Sequence, residues 1–144
     1  MGFLTELLLG TGRLRARLRA ALEAEGLVAL EEGLPGSIRY TNFKAPGKRF
    51  NRKVTAERIG IGISEQRLAV YCRSGRVKLI DTLFSEPRLS ALEVFLEDRE
   101  TVSLRIDYDR VEVPKVSGEI KIAATTPNAA QLVEHLRKRL NRRA

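Results

Sequence analysis

The pattern of hydrophobic and polar positions changes period twice along the chain and predicts a helix, then strands, then a second helix. Near the N-terminus, leucines recur at helical spacing until Gly26 ends the pattern. The more regular part begins near Gly12, with Thr11 as its N-cap. We therefore predict an amphipathic N-terminal helix within residues 1–26 and a separate domain over residues 27–144.

After the first helix the period becomes two, which is typical of half-buried strands. Seven alternating runs are separated by turn signals such as Pro46-Gly47 and Ser74-Gly75. The predicted strands cover 37–44, 53–64, 67–73, 76–83, 89–97, 101–107 and 119–124. On the second predicted strand, Ile59, Ile61 and Ile63 share one face, and Gly60 and Gly62 lie on the other face. The two glycines indicate a close backbone approach on their own face of the strand.

Residues 127–141 form the clearest helix in the sequence. Thr126 is suited to the N-cap, and Pro127 to the first helical position. Its apolar residues make one stripe, which consists of Ala129, Leu132, Val133, Leu136 and Leu140. Basic residues crowd its C-terminal end, where the helix dipole favours cations; these are Arg137, Lys138, Arg139, Arg142 and Arg143. The stripe needs an apolar partner, and the open end of a barrel would provide one.

Seven antiparallel strands followed by one amphipathic helix resemble the order of elements in bacterial pleckstrin-homology-like (PH-like) domains. The segments that carry the resemblance are 60–71, 75–81 and the start of the closing helix at 126–133. The resemblance covers about residues 27–141. It implies an α+β fold, in which a seven-stranded antiparallel half-open barrel or sandwich is capped by the C-terminal helix, with the N-terminal helix as an addition.

Charge is distributed unevenly along the chain. The 144 residues include 26 Lys and Arg against 18 Asp and Glu, a net charge of +8. Residues 35–80 hold eleven basic and two acidic side chains, a net charge of +9, whereas the rest of the chain is close to neutral. This asymmetry indicates an anionic partner and says nothing about the fold.

Catalytic chemistry has little support in the sequence. Cys72 is the single cysteine and His135 the single histidine, so an intramolecular disulfide and a multi-histidine metal site are excluded. Asp107 and Asp109 share a face, but they lie where a strand enters a loop, and we interpret them as turn residues and not as an acid–base pair. We therefore predict a protein that is not an enzyme and needs neither a metal nor another cofactor.

The sequence also bears on location. No apolar run reaches the roughly 20 residues of a membrane-spanning helix. The first twelve residues lack the basic region and the cleavage site of a signal peptide. We therefore expect a cytoplasmic protein, either free in the cytoplasm or peripheral to the membrane.

The connection between the first two predicted strands is the candidate binding site. Five of its ten residues are basic, namely Lys44, Lys48, Arg49, Arg52 and Lys53, and Arg39 and Arg58 flank them on the strands. A hairpin would gather these charges at one end of the barrel and raise the local concentration of an anion. We expect Phe50 to lie at the loop tip, where it would contact a membrane.

The resemblance adds an expectation about the ligand. PH domains that bind phosphoinositide headgroups use this loop, with a Lys at the end of the first strand and a basic-x-Arg pattern on the second. Lys44 matches the first position, but Phe50 stands where the second pattern requires Arg. This departure from the pattern weakens the case for a stereospecific headgroup site and leaves a general anionic lipid surface open.

Three other interpretations stay open at this point. Tyr40, Phe43 and Phe50 are interleaved with the cations, a combination that also suits single-stranded nucleic acid. An acidic protein, a peptide added along the fifth strand, or a second copy bound through the N-terminal helix would make the protein an interaction or oligomerisation module. The basic hairpin could also serve only to keep one end of the domain soluble.

Overall fold

A computed structural model describes residues 16–72, 77–111 and 114–141 of the protein. In these residues the chain forms eight antiparallel strands and two α-helices. The strands are β1 (Leu27–Ala45), β2 (Lys48–Phe50), β3 (Lys53–Ser64), β4 (Arg67–Cys72), β5 (Val77–Leu83), β6 (Leu92–Asp98), β7 (Thr101–Asp107) and β8 (Ser117–Thr125). The helices are α1, described over residues 16–24, and α2 (Ala129–Asn141). The predicted α+β half-barrel with a helix before and after it is confirmed.

The strands form one curled sheet in the order β5-β4-β3-β1-β8-β7-β6, and β2 pairs with the far end of β1. β1 is the longest strand, with 19 residues. Its first part pairs only with β3, and from Gly36 to Tyr40 it pairs with β3 on one side and β8 on the other. β1 therefore joins the two halves of the sheet.

The core lies on the concave face of the sheet. Alternating isoleucines of β3, which are Ile59, Ile61 and Ile63, are fully buried there. The predicted stripe of α2 packs against the same core, with Leu132 and Leu136 buried. Burial of a leucine or isoleucine side chain contributes about 1.5–3 kcal/mol, so these contacts hold the helix on the sheet.

The convex face of β3 and β4 is covered by α1. Leu22 of α1 is fully buried, and a Cβ added to Gly62 would lie 2.5 Å from its Cδ1 atom. Glu25 accepts a hydrogen bond of 2.9 Å from Nε of Arg67 on β4. The close approach predicted from the glycines of β3 is thus confirmed, since the missing side chain makes room for the helix. The predicted N-cap Thr11 lies outside the described residues.

Both helices are fixed to the turn between β3 and β4. The Glu65 amide donates to the Gly26 carbonyl at 2.9 Å, where α1 leads into β1. The Glu65 carboxylate accepts a hydrogen bond from Arg139 of α2, which is 5% exposed and also donates to the His135 carbonyl. Arg139 is therefore a buried link between α2 and the sheet, and not part of a solvated cationic helix end.

Three elements differ from the sequence prediction. β1 begins at Leu27 and not at residue 37, because a register shift between Glu31 and Leu34 breaks the alternation that identifies a strand. β6 begins at Leu92, since Pro87–Ala91 forms a 3₁₀ turn. β2 was not predicted as a strand of its own. The predicted Ser74-Gly75 turn and the basic residues Arg142 and Arg143 lie outside the described part of the chain.

Candidate functional site

The candidate site is the hairpin of residues 44–53, which we call the basic hairpin. Its two-residue turn is Pro46-Gly47, with Ala45 opposite Lys48. Phe43 lies opposite Phe50, and Lys44 opposite Arg49. Directly opposed residues project from the same face of an antiparallel pair. The hairpin therefore has an inner face with the two phenylalanines and an outer face with Lys44 and Arg49.

A bulge at the base of the hairpin determines which side chains point outward. The pairing of β1 with β8 shifts between Thr41 and Lys44, and Asn42 has a φ of 49°. The Asn42 amide donates to Oδ1 of Asn51 at 3.2 Å, which links the two strands. An extra residue in a strand reverses the alternation beyond it. As a result Phe43 is buried and Lys44 is exposed.

Four aromatic side chains support the inner face. Tyr40 lies 5.5 Å from Phe43 and 5.0 Å from Phe50 between ring centroids, and Phe43 lies 6.0 Å from Tyr108. Burial raises the pKa of the Tyr108 phenol above its ordinary value. The expectation that Phe50 lies at the loop tip is wrong, because the tip is Pro46-Gly47 and Phe50 is half-buried in this aromatic cluster.

The five cations of the hairpin occupy two faces. Lys48 and Lys53 line a cavity of about 190 Å³ on the inner side, and the Lys53 Nζ atom lies 4.0 Å from the centroid of the Phe50 ring. Lys44 and Arg49 line a second cavity of about 420 Å³, which we call the outer cavity and which Phe43 and Phe50 also border. Arg52 is exposed in the link from β2 to β3, with a φ of 57°. All five lie within the same hairpin, so the structure brings them together at one end of the half-barrel.

The two flanking arginines lie on the strands outside the hairpin, with Arg39 one register position from Lys53. Arg58 lies opposite Pro35, and its Nη1 atom donates to the Gly33 carbonyl at 3.4 Å. Five strand positions separate it from Lys53, which corresponds to about 17 Å. Arg39 lies on the convex face, opposite Lys121 of β8. Of the seven predicted cations, the structure therefore groups five.

The cations of the hairpin differ from those of β7 and β8 in forming no ion pair within the described part of the chain. Arg105 binds Glu93 and Glu119, and Lys121 binds Glu97. In contrast, none of the five hairpin cations forms an ion pair with a carboxylate of the described residues. The basic hairpin thus carries five positive charges that no described carboxylate compensates.

One residue of this region was not predicted as part of a site. Asp109 lies in the 3₁₀ turn Tyr108–Arg110 and lines the outer cavity together with Lys44 and Arg49. Its Oδ1 atom accepts from the Gly118 amide at 3.1 Å, and its own amide donates to Asp107 at 3.0 Å. The two aspartates are therefore turn residues, as predicted. No local signal places Asp109 near the hairpin, because its position depends on β8 pairing with β1.

Comparison with protein-family models and with curated proteins gave no match to this chain. Among the described residues, no helix is both long enough and apolar enough to cross a bilayer.

Proposed function

We propose that the protein is a non-catalytic docking module with a PH-like fold, which attaches to an anionic membrane surface through the basic hairpin. The observation that carries the proposal is the group of five exposed cations at one end of the half-barrel, which pair with no carboxylate of residues 16–72, 77–111 and 114–141. Each Lys or Arg held near an anionic lipid surface contributes about 1 kcal/mol to binding. A hairpin that presents several of them at once would give reversible attachment.

The cost of this arrangement also supports a binding role. Lys44 and Arg49 are directly opposed across the hairpin. Like charges in that position destabilise a strand pair. On β7 and β8, the corresponding like charges of Arg105 and Lys121 are compensated by glutamates. In the hairpin, no described carboxylate compensates the repulsion between Lys44 and Arg49. An external anion bound between them would remove this repulsion, so the arrangement favours anion binding.

The PH-like assignment itself rests on the order of elements. The half-barrel, the position of β1 between β3 and β8, and the closing helix α2 in the core fit the architecture that the sequence resemblance implies. The open strand edges and the hairpin then lie outside the packed core, where a ligand could reach them.

The test is sedimentation with vesicles that contain an anionic phospholipid. Replacing Lys48, Arg49 and Arg52 with Ala should abolish co-sedimentation, since three of the five cations are lost. The thermal midpoint should stay nearly unchanged, because the three side chains are exposed or lie at a cavity rim and pair with no described carboxylate.

A matched control removes the same charge elsewhere. Arg17, Arg99 and Lys138 are exposed and lie on α1, the β6–β7 turn and α2. Their replacement with Ala should leave vesicle binding close to that of the wild type. Retained binding by the hairpin variant overturns the proposal. Binding of single-stranded oligonucleotide by a wild type that ignores vesicles would also overturn it, in favour of nucleic acid.

A further inference from the structure

The outer cavity of the basic hairpin brings together two cations and one anion. Its charged lining residues are Lys44 and Arg49 of the hairpin and Asp109 of the 3₁₀ turn. The rest of the lining consists of Asn42, Phe43, Phe50, Asn51 and Ser117. Its volume of about 420 Å³ lies within the range of about 300–1,000 Å³ that is usual for small-molecule sites.

The three charged groups face one cavity without neutralising one another. Asp109 forms no ion pair with Lys44, Arg49 or another cation of the described residues. The Gly118 amide fixes one oxygen of its carboxylate. Lys44 and Arg49 are kept side by side by the strand register. The cavity is thus lined by two positive charges and one negative charge.

We infer that this cavity binds the headgroup of a serine phospholipid, an inference that rests on the proposed membrane function. That headgroup carries a negative phosphodiester, a negative carboxylate and a positive ammonium. Arg49 and Lys44 would each bind one of the anionic groups, the guanidinium through paired hydrogen bonds. Asp109 would accept the ammonium. Each charge of the headgroup therefore meets an opposite charge of the cavity.

Asp109 is the residue that would make the site selective. Phosphatidylglycerol has the same net charge as phosphatidylserine, but its headgroup lacks an ammonium. With that lipid in the cavity, the Asp109 carboxylate would face an anion with no cation of the ligand between them, and such juxtaposition is unfavourable. Without Asp109, the lysine and arginine would distinguish the two lipids poorly, because both headgroups have a net charge of −1 and the ammonium of serine offsets its additional carboxylate.

The experiment compares vesicles of phosphatidylcholine that contain equal mole fractions of phosphatidylserine or phosphatidylglycerol. The wild type should bind the serine vesicles roughly tenfold more tightly, the ratio expected from one additional hydrogen bond between charged groups. Asp109→Asn should bring that ratio close to one and strengthen binding to phosphatidylglycerol. Its amide oxygen can still accept from Gly118, so the turn should persist.

Asp107→Asn is the matched control, because it removes the same charge from the same turn. Asp107 lies outside the lining of the cavity, so its variant should keep the preference for serine. Equal binding of both lipids by the wild type overturns this inference and leaves membrane docking intact. Binding to neither lipid overturns both this inference and the proposed membrane docking. A preference that survives in Asp109→Asn, with an unchanged thermal midpoint, overturns the role of Asp109.

Discussion

At the scale of single residues, the geometry of the hairpin depends on a contact between two backbones. Gly118 has a φ of 91°, and a Cβ at this position would lie 2.2 Å from the carbonyl oxygen of Asn42. Asn42 is the bulge residue that turns Lys44 outward. A side chain at position 118 would therefore disturb the bulge as well as its own backbone.

We expect Gly118→Ala to destabilise the protein more than Gly33→Ala. Gly33 also has a positive φ, 67°, but a Cβ there would meet nothing within 4 Å. The backbone conformation alone costs about 1–2 kcal/mol for a residue with a side chain. The clash at position 118 should add about 1–3 kcal/mol, as overpacking does in other proteins. Urea unfolding of both variants measures the difference in their free energies of unfolding. Equal losses of stability would contradict the close contact between Gly118 and Asn42.

At the scale of elements, the described part of α1 contacts the sheet through the fully buried Leu22, and Glu25 directly after it forms an ion pair with β4. Leu22 contacts the convex face at Gly62, and Glu25 binds Arg67. Arg67 also binds Asp81 of β5 at 2.8 Å, and these two carboxylates, Asp81 foremost, raise the pKa of the guanidinium. The helix thus covers a part of the sheet that would otherwise expose glycine backbone and apolar side chains.

Leu22→Ala should lower the free energy of unfolding by about 2–5 kcal/mol, the usual cost of truncating a fully buried leucine. Leu96→Ala is the control, since Leu96 is 40% exposed and should cost less than about 1 kcal/mol. Urea titration followed by circular dichroism gives both values. An unchanged midpoint in the Leu22 variant would mean that α1 unfolds independently of the sheet.

The elements differ in how much of them the sequence predicts. α2 and the strands from β3 to β8 follow from periodicity and turn signals, although the second half of β3 and most of β4 are buried on both faces. The first half of β1 does not, since the bulge near Gly33 interrupts its alternation. The composition of the basic hairpin was predictable as well. Its division into two faces was not, because a one-residue shift at Asn42 depends on the pairing with β8.

At the scale of the whole molecule, the basic hairpin is separated from the two helices. The hairpin lies at the end of the sheet where β1 turns into β2, whereas α1, α2 and the β3–β4 turn meet at the opposite end. The end of the sheet next to the helices has its own ion pairs, such as Arg67 with Glu25. A field directed through one end of the molecule would orient it as it approaches an anionic surface.

Vesicle binding should weaken steeply as salt is added, because the Debye length falls from about 30 Å at 0.01 M to about 8 Å at 0.15 M. The thermal midpoint should change little over the same range, since the core is apolar. Sedimentation at increasing potassium chloride measures the slope. The control variant with Arg17, Arg99 and Lys138 replaced by Ala should show the same dependence of binding on salt as the wild type. Binding that does not respond to salt would contradict electrostatic attachment.

The double pairing of β1 has a consequence for how the polypeptide acquires its structure during synthesis. β3, β4 and β5 follow β1 closely, so that half can assemble early by successive hairpins. The other side of β1 must wait for β8, which emerges from the ribosome more than 70 residues later. Until then one edge of β1 lacks a neighbour, and the nascent chain is most vulnerable to aggregation over that interval.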